Sequence, residues 1–401
     1  MNKKAIIILI AVAAILLIIG GIYWYYSGKP AGERPGIISA LFPFGEEEEL
    51  GLPIPPEGLP PPPVSEVKVL ELIQLTKNAI SGAGAASTTI RYIERSTGHI
   101  YEIEPNGRNR KRLSNITILK TFESFWSAKA DKVILRYFET DQTYLSVKTF
   151  SATLPLQGAT TTAISGMFLP QSIMAVAISP EEDKIFYLDA TEKGATGPPA
   201  GWAGMVTDFE NKKQTKIFST PFGGFNASWP SKNIIALLTK PSAVASGFFY
   251  SLNAKTGEFK RILGDIKGLT ALMSPDAERV IYSQSADRIL ETKVFNLKSK
   301  ETTIFSLTTL PEKCVWSKTD PAVIYCSVPE ILASADYPDE WYQGLISFND
   351  SIWQNNLSIG ETILLKSAAG LDVINPFLTR DENYFVFTDK NDNTLWSLRL
   401  K

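Results

Sequence analysis

ALMSPDAERVIYS, residues Ala271 to Ser283, holds an apolar strand end, a Ser-Pro-Asp turn and a second strand within thirteen residues. Ser and Asp favour tight turns because their side chains bond nearby backbone N–H groups, and Pro presets the first turn dihedral. The run VIYS that follows is β-branched and aromatic, as a strand requires. One such hairpin carries little information, but this one returns. Variants occur as FWSAKADKVILRY (125–137), AISPEEDKIFYL (177–188), SWPSKNIIALL (228–238), VWSKTDPAVIYCS (315–327) and FLTRDENYFVFT (377–388). Their turn-entry positions, 127, 179, 230, 274, 317 and 379, are 52, 51, 44, 43 and 62 residues apart. Trp126, Trp229 and Trp316 hold the same place in the register.

Each hairpin is followed by two more strand-like runs. After Ser274 these are TKVFNLKSKE and TTIFSL; after Ser179, GMVTDFENKK and TKIFST. Four short strands per forty-odd residues is the period of a β-propeller blade. A single blade cannot bury both faces, whereas blades stacked in a ring bury one another. Residues 88–114 supply a further unit, with Ile80 to Ala86 as its degenerate first strand. The last unit ends at Lys401 after three strands, and VLELIQLTK (69–77) reads as its missing outer strand. The expectation is an all-β, seven-bladed propeller over residues 67–401, closed by an N-terminal strand, with six or eight blades left open.

The S-P-D turn and the L-I-Q-L-T outer strand resemble the propeller repeats of the TolB type. Single-pass, proline-tethered propellers among bacterial membrane proteins are also similar. The resemblance covers residues 69 to 401 and implies fold, with no catalytic residues. By analogy with the periplasmic TolB it implies a partner-binding role. The chain departs from the pattern in several turns, where Ala-Lys-Ala, Pro-Ser-Lys and Thr-Arg-Asp-Glu replace Ser-Pro-Asp-Gly.

Ahead of the repeats, Lys3 and Lys4 precede an apolar run from Ala5 to Ile22, followed by Tyr23, Trp24, Tyr25 and Tyr26. About 20 apolar residues cross a bilayer, and aromatic residues favour its interface. Residues 1–26 therefore read as a cytoplasmic stub and transmembrane anchor, with the rest outside the cell membrane. Gly20-Gly21-Ile-Tyr-Trp makes a poor signal-peptidase site. Residues 27–66 contain ten prolines and the acidic run Glu46 to Glu49, and read as an extended, disordered tether.

Composition excludes several functions. The chain has 401 residues, 20% of them charged, and a formal net charge of −2, which gives no basis for nucleic-acid binding. Arg108-Asn-Arg-Lys-Arg112 reads as a solvated turn. His99 is the single histidine, so neither a His-rich metal centre nor two-imidazole catalysis is available. No phosphate-cradling motif, nucleophile elbow or EF-hand spacing occurs, and no cofactor or metal is implied. Cys314 and Cys326 flank one turn and face each other across a strand pair, either as a disulfide or as two buried thiols.

The long connections are Leu156–Met174, Asp189–Gly204, Lys240–Gly247 and Pro329–Gly344, all on one face of the expected ring. Because the tether enters on the short-turn side, that face is expected to point away from the membrane. Its candidate binding residues are Asp336, Tyr337, Asp339, Glu340, Trp341 and Tyr342, joined by Trp202. Aromatics beside carboxylates suit a protein or envelope-polymer partner. Equally, Trp341 and Tyr342 fold back to cap the central channel. The expected function is a non-enzymatic, membrane-anchored binding or scaffold module. The alternatives are a carboxylate-based glycoside-active enzyme or a structural subunit of an envelope complex.

Overall fold

A computed structural model of the chain describes residues 70–141, 144–154, 164–181, 183–190, 201–368 and 370–401. The apolar run from Ala5 to Ile22 and the tether of residues 27–66 lie outside them. Among the described residues no helix is long and apolar enough to cross a membrane.

The chain folds into seven four-stranded antiparallel sheets. Blade 1 is β2 (Ile80–Ala85), β3 (Ile90–Glu94), β4 (Ile100–Ile103) and β5 (Lys111–Arg112). Blade 2 is β6 (Thr121–Trp126), β7 (Lys132–Asp141), β8 (Tyr144–Thr153) and β9 (Ser165–Phe168). Blade 3 is β10 (Ile173–Ile178), β11 (Lys184–Ala190), β12 (Trp202–Asp208) and β13 (Thr215–Thr220). Blade 4 is β14 (Phe225–Ser231), β15 (Ile234–Thr239), β16 (Ser246–Asn253) and β17 (Phe259–Lys267). Blade 5 is β18 (Ala271–Met273), β19 (Arg279–Ala286), β20 (Ile289–Asn296) and β21 (Thr302–Ile304). Blade 6 is β22 (Cys314–Trp316), β23 (Val323–Pro329), β24 (Asp350–Asn356) and β25 (Glu361–Ser367). Blade 7 takes β26 (Val373–Leu378), β27 (Tyr384–Asp389) and β28 (Leu395–Arg399) from the chain end. Its outer strand is β1 (Leu72–Gln74), which pairs Leu72 with Leu398 and Gln74 with Trp396. The ring is thus shut by hydrogen bonds between the two ends of the repeat region.

The core is distributed rather than central. Each seam between adjacent blades holds its own buried apolar cluster. Phe186 and Leu188 meet Trp229 and Leu237 between blades 3 and 4, and Tyr325 and Ile352 meet Phe385 and Phe387 between blades 6 and 7. The other five seams are filled in the same way. Cys314 and Cys326 stand directly opposite on β22 and β23, buried in the seam between blades 5 and 6, and are joined by a disulfide.

The recurring turn has a common geometry that its varied sequence conceals. In blade 5 the Ser274 hydroxyl accepts from the Arg279 N–H at 3.0 Å, and Ala277 takes a left-handed φ of 57°. In blade 2 Ser127 accepts from the Lys132 N–H, with Ala130 at φ 54°. In blade 7 Thr379 accepts from the Tyr384 N–H, with Glu382 at φ 53°. In these three blades the turn combines an entry hydroxyl with one residue strained into the left-handed region, where glycine would be most at ease. Substitution of that glycine costs strain but leaves the turn in place, so departures from Ser-Pro-Asp-Gly do not alter the blade.

Candidate functional site

The long second-to-third connection of blade 6 crosses the ring and forms a cap. It carries one helical turn, α1 (Asp339–Tyr342), and ties to four other elements of the long-loop face. The Asp339 carboxylate accepts from the Ala243 N–H in blade 4. Arg288, at the β19–β20 turn, pairs with Asp336 at 2.9 Å and Glu340 at 2.8 Å. The Trp341 indole N–H donates to Asp372 Oδ2 at 2.8 Å in the link between blades 6 and 7. The Tyr342 hydroxyl donates to Glu312 in the link between blades 5 and 6. Gly268 (φ 66°) lets the cap lie this close, since a Cβ there would stand 2.7 Å from the Tyr337 carbonyl oxygen.

Of the sequence-selected residues, Tyr337 and Trp341 are interior side chains, 1% and 2% exposed, packed with Leu290, Leu310 and Phe348. Asp336, Asp339 and Glu340 spend their carboxylates on holding the cap down. Tyr342 keeps an exposed ring edge. Trp202 lies apart, at the start of β12, where its indole lies over Gly223.

Beneath the cap is an interior charge cluster that the sequence did not advertise. Lys313 is fully buried, with its ammonium 2.7 Å from both Asp350 and Asp372 and 2.9 Å from the Val373 carbonyl. The same nitrogen lies 5.0 Å from the Trp341 ring centroid and 4.9 Å from that of Phe348. Burial pushes the Asp350 carboxyl up to about 6 against the pull of Lys313. Glu312 is pushed further, to about 7, by burial that Tyr342 and Lys313 only partly offset. Lys313, Asp350 and Asp372 are fully buried and paired with one another, so their role is structural, while Glu312 and Tyr342 at the edge of the cluster border a small cavity of about 170 Å³.

Because the Glu312 carboxyl titrates higher in the folded state, the stability it contributes is complete below about pH 4.5 and is lost as pH rises through about 7. Glu312→Gln is expected to remove that loss. Urea midpoints should show the variant gaining about 1–2 kcal/mol on wild type between pH 5 and pH 8, discounted for the solvent the carboxyl reaches. Parallel pH profiles for the two proteins would refute the assignment.

The open part of the molecule is the central channel. First strands of neighbouring blades touch around it, as β2 does with β6 and β26, and β10 with β6 and β14. A cavity of about 480 Å³ occupies its short-turn end, within the size range of small-ligand sites. Small residues such as Ala83, Gly84, Ala177 and Ser228 leave the space, and Phe125, Trp126, Trp229 and Phe377 form apolar walls. Gly84 is required here, because a Cβ would fall 2.6 Å from Trp126 Cβ and Cγ. The mouth is framed by the turn residues Ser127, Ser179, Pro180, Lys318 and Arg380. A second cavity of about 360 Å³ continues the channel, sharing Ala83, Ser124, Phe125, Asn375 and Phe377 with the first.

Lys318 and Arg380 are the cavity's charged groups, and no Asp or Glu is among its described lining residues. Crowding by the wall pulls the Lys318 ammonium below its ordinary range although the side chain reaches solvent, and Arg380 pushes the same way against Glu382. The indole N–H groups of Trp126, Trp229 and Trp316 are buried and have no hydrogen-bond partner among the described residues. The long-loop emphasis of the sequence missed this site. Two of the three tryptophans aligned at the turn entries, Trp126 and Trp229, line it and were the signal that marked it.

His99 is remote from the channel lining and bonds Thr117 at 3.1 Å. Among the described residues no group of three His, Cys, Asp or Glu side chains is placed to hold a metal ion.

No family model matches the chain, and no curated protein matches it. Similar solved structures exist. An oligogalacturonate lyase in complex with manganese superposes with a TM-score of 0.54 at 12% identity, over 82% of this chain and 93% of that one. The oligogalacturonate lyase of Vibrio parahaemolyticus gives 0.56 at 10% identity, over 84% and 95%. TolB from Acinetobacter baumannii gives 0.42 at 12% identity, over 79% and 65%. The lyases show a shared propeller fold. At these identities they transfer no activity to this chain.

Proposed function

We propose that this protein is an extracytoplasmic propeller that binds a ligand in its central channel and is held at the cytoplasmic membrane by residues 5–26 through the tether of residues 27–66. The observation that carries the binding role is the contrast between the two faces. The cap's polar groups are consumed by one another, whereas the cavity at the opposite mouth retains two cations without an ion-pair partner among the described residues, an aromatic wall and room for a ligand. The Cys314–Cys326 disulfide supports a location outside the cytosol, where such bonds persist. A non-enzymatic role is supported by the channel lining. Two carboxyls about 5–9.5 Å apart serve glycoside hydrolysis, while among its described lining residues the second cavity has one carboxylate, Glu123, which pairs with Arg136.

The test is made on the full chain in its host. Spheroplasts should yield it in the membrane fraction, accessible to added protease, with no alkylatable thiol before reduction. Recovery from the soluble cytoplasm with two reactive thiols overturns the placement. A specific observation also favours a subunit role in an envelope complex. Ile304, Ile359, Ile363 and Leu364 are exposed on the outer edge of blades 5 and 6, which Ser306 and Thr362 bring together at 3.1 Å.

A further inference from the structure

We propose that the short-turn mouth of the channel is a site for a small amphipathic organic anion, its carboxylate or phosphate held by Lys318 and Arg380 and its apolar part by the tryptophan-lined wall. This rests on the reading of the channel as a binding site and adds the chemistry of what it takes.

Three observations converge on it. The first concerns charge. Neither the Lys318 ammonium nor the Arg380 guanidinium has a hydrogen-bond or ion-pair partner among the described residues, although acidic groups surround the mouth. Those groups are engaged elsewhere: Glu181 with Lys232, Asp183 with Lys132, and Asp381 with Thr379 and Asn383. Glu382 accepts from the Ser317 and Thr319 hydroxyls and from the Lys318 and Thr319 backbone N–H groups, which leaves the Lys318 side chain to the opening. Two like charges facing one cavity repel each other until an anion lies between them. Arg supplies a planar fork and Lys a point charge, a pairing that suits carboxylate or phosphate oxygens.

The second observation is the aromatic wall. Trp126 and Trp229 line the cavity with their rings, Trp229 being 7% exposed, while their indole N–H groups are buried within the wall, so what the two residues offer a ligand is apolar and aromatic surface. The third is shape. The small side chains of the innermost strands and the rings of Phe125 and Phe377 enclose an apolar volume behind the cations, and a free inorganic ion would leave it unfilled.

The experiment uses the full chain in detergent, with 1-anilinonaphthalene-8-sulfonate as the anionic probe and N-phenyl-1-naphthylamine as its neutral counterpart. The sulfonate should bind one site, quench tryptophan emission, and be displaced by phenylacetate and phenyl phosphate more effectively than by inorganic phosphate. Lys318→Gln and Arg380→Gln should each weaken it roughly tenfold, the loss of one charge-assisted contact. Trp229→Phe keeps an aromatic wall with less surface, and should weaken it less. Thermal melts confirm that each variant is folded.

Unchanged affinity in both charge variants, equal binding of the neutral probe, or full displacement by inorganic phosphate overturns the proposal. If the neutral probe binds the channel as tightly as the anion, the binding role stands and the preference for anions falls. If neither probe binds, the channel reading falls with it.

Discussion

Lys313→Met is expected to destabilise the fold by about 3–5 kcal/mol, among the largest effects of any single substitution in this protein. The lysine is fully buried and within 2.7 Å of two carboxylates that are themselves fully buried. A salt bridge of this kind adds little net stability, because desolvation consumes most of the attraction. Removing only the cation is different, since Asp350 and Asp372 are left facing each other without water or countercharge. Urea titration at pH 7.5 should show the loss as a shifted midpoint at constant slope. The loss should shrink as pH falls below about 6, where the Asp350 carboxyl takes up a proton. Asp350→Asn in the same chain should restore part of it. A Lys313→Met variant as stable as wild type at pH 7.5 would show that the cluster is solvated in solution.

Trp341→Ala is expected to cost about 3–5 kcal/mol, the usual range for a fully buried aromatic. Its indole fills the centre of the cap cluster, lies under Lys313, and donates to Asp372. Truncation leaves a cavity and removes one donor from an Asp372 carboxylate that otherwise accepts only from Ser347 and the Phe348 N–H on that oxygen. Thermal unfolding measures the total cost, and limited proteolysis across residues 330–349 shows how it is distributed. A lowered melting point with unchanged proteolysis means that the cap unfolds together with the ring. Early cleavage within those residues with an unchanged melting point would refute the expected cost, since the cap would then be a local, separately opening unit. Trp341→Phe should retain most of the packing and lose less.

Much of the fold was legible because a propeller repeats its local chemistry. Every blade needs a turn between its first two strands, and the entry hydroxyl of Ser127, Ser274 or Thr379 marks it in the sequence. Six units follow from that punctuation and a seventh from residues 88–114, and the seven sheets agree with the expected ring. What the turns could not reveal was the tolerance for Ala130, Ala277 and Glu382 at left-handed φ, because the strain is offset by strand pairing on both sides. The candidate site was far less legible. Loop length directed attention to Pro329–Gly344, whose aromatics and carboxylates resemble a binding surface in one dimension and are the interior of a cap in three. Conversely, the Ser-Pro-Asp turns read as mere punctuation, yet Ser127, Ser179, Lys318 and Arg380 at those turns frame the mouth of the channel cavity.

The division has a physical cause. Strand periodicity, turn residues and the spacing between hairpins act over a few residues, so the sequence by itself determined an all-β propeller of repeated units, while the count of seven blades was decided by the folded ring. Charge partnership and burial act between residues far apart in the chain. Lys313 finds Asp372 fifty-nine positions away, and Arg288 finds Asp336 forty-eight away. Only closure of the ring decided which carboxylates were neutralised, which tryptophan N–H groups were left without partners, and which two cations remained facing an open channel.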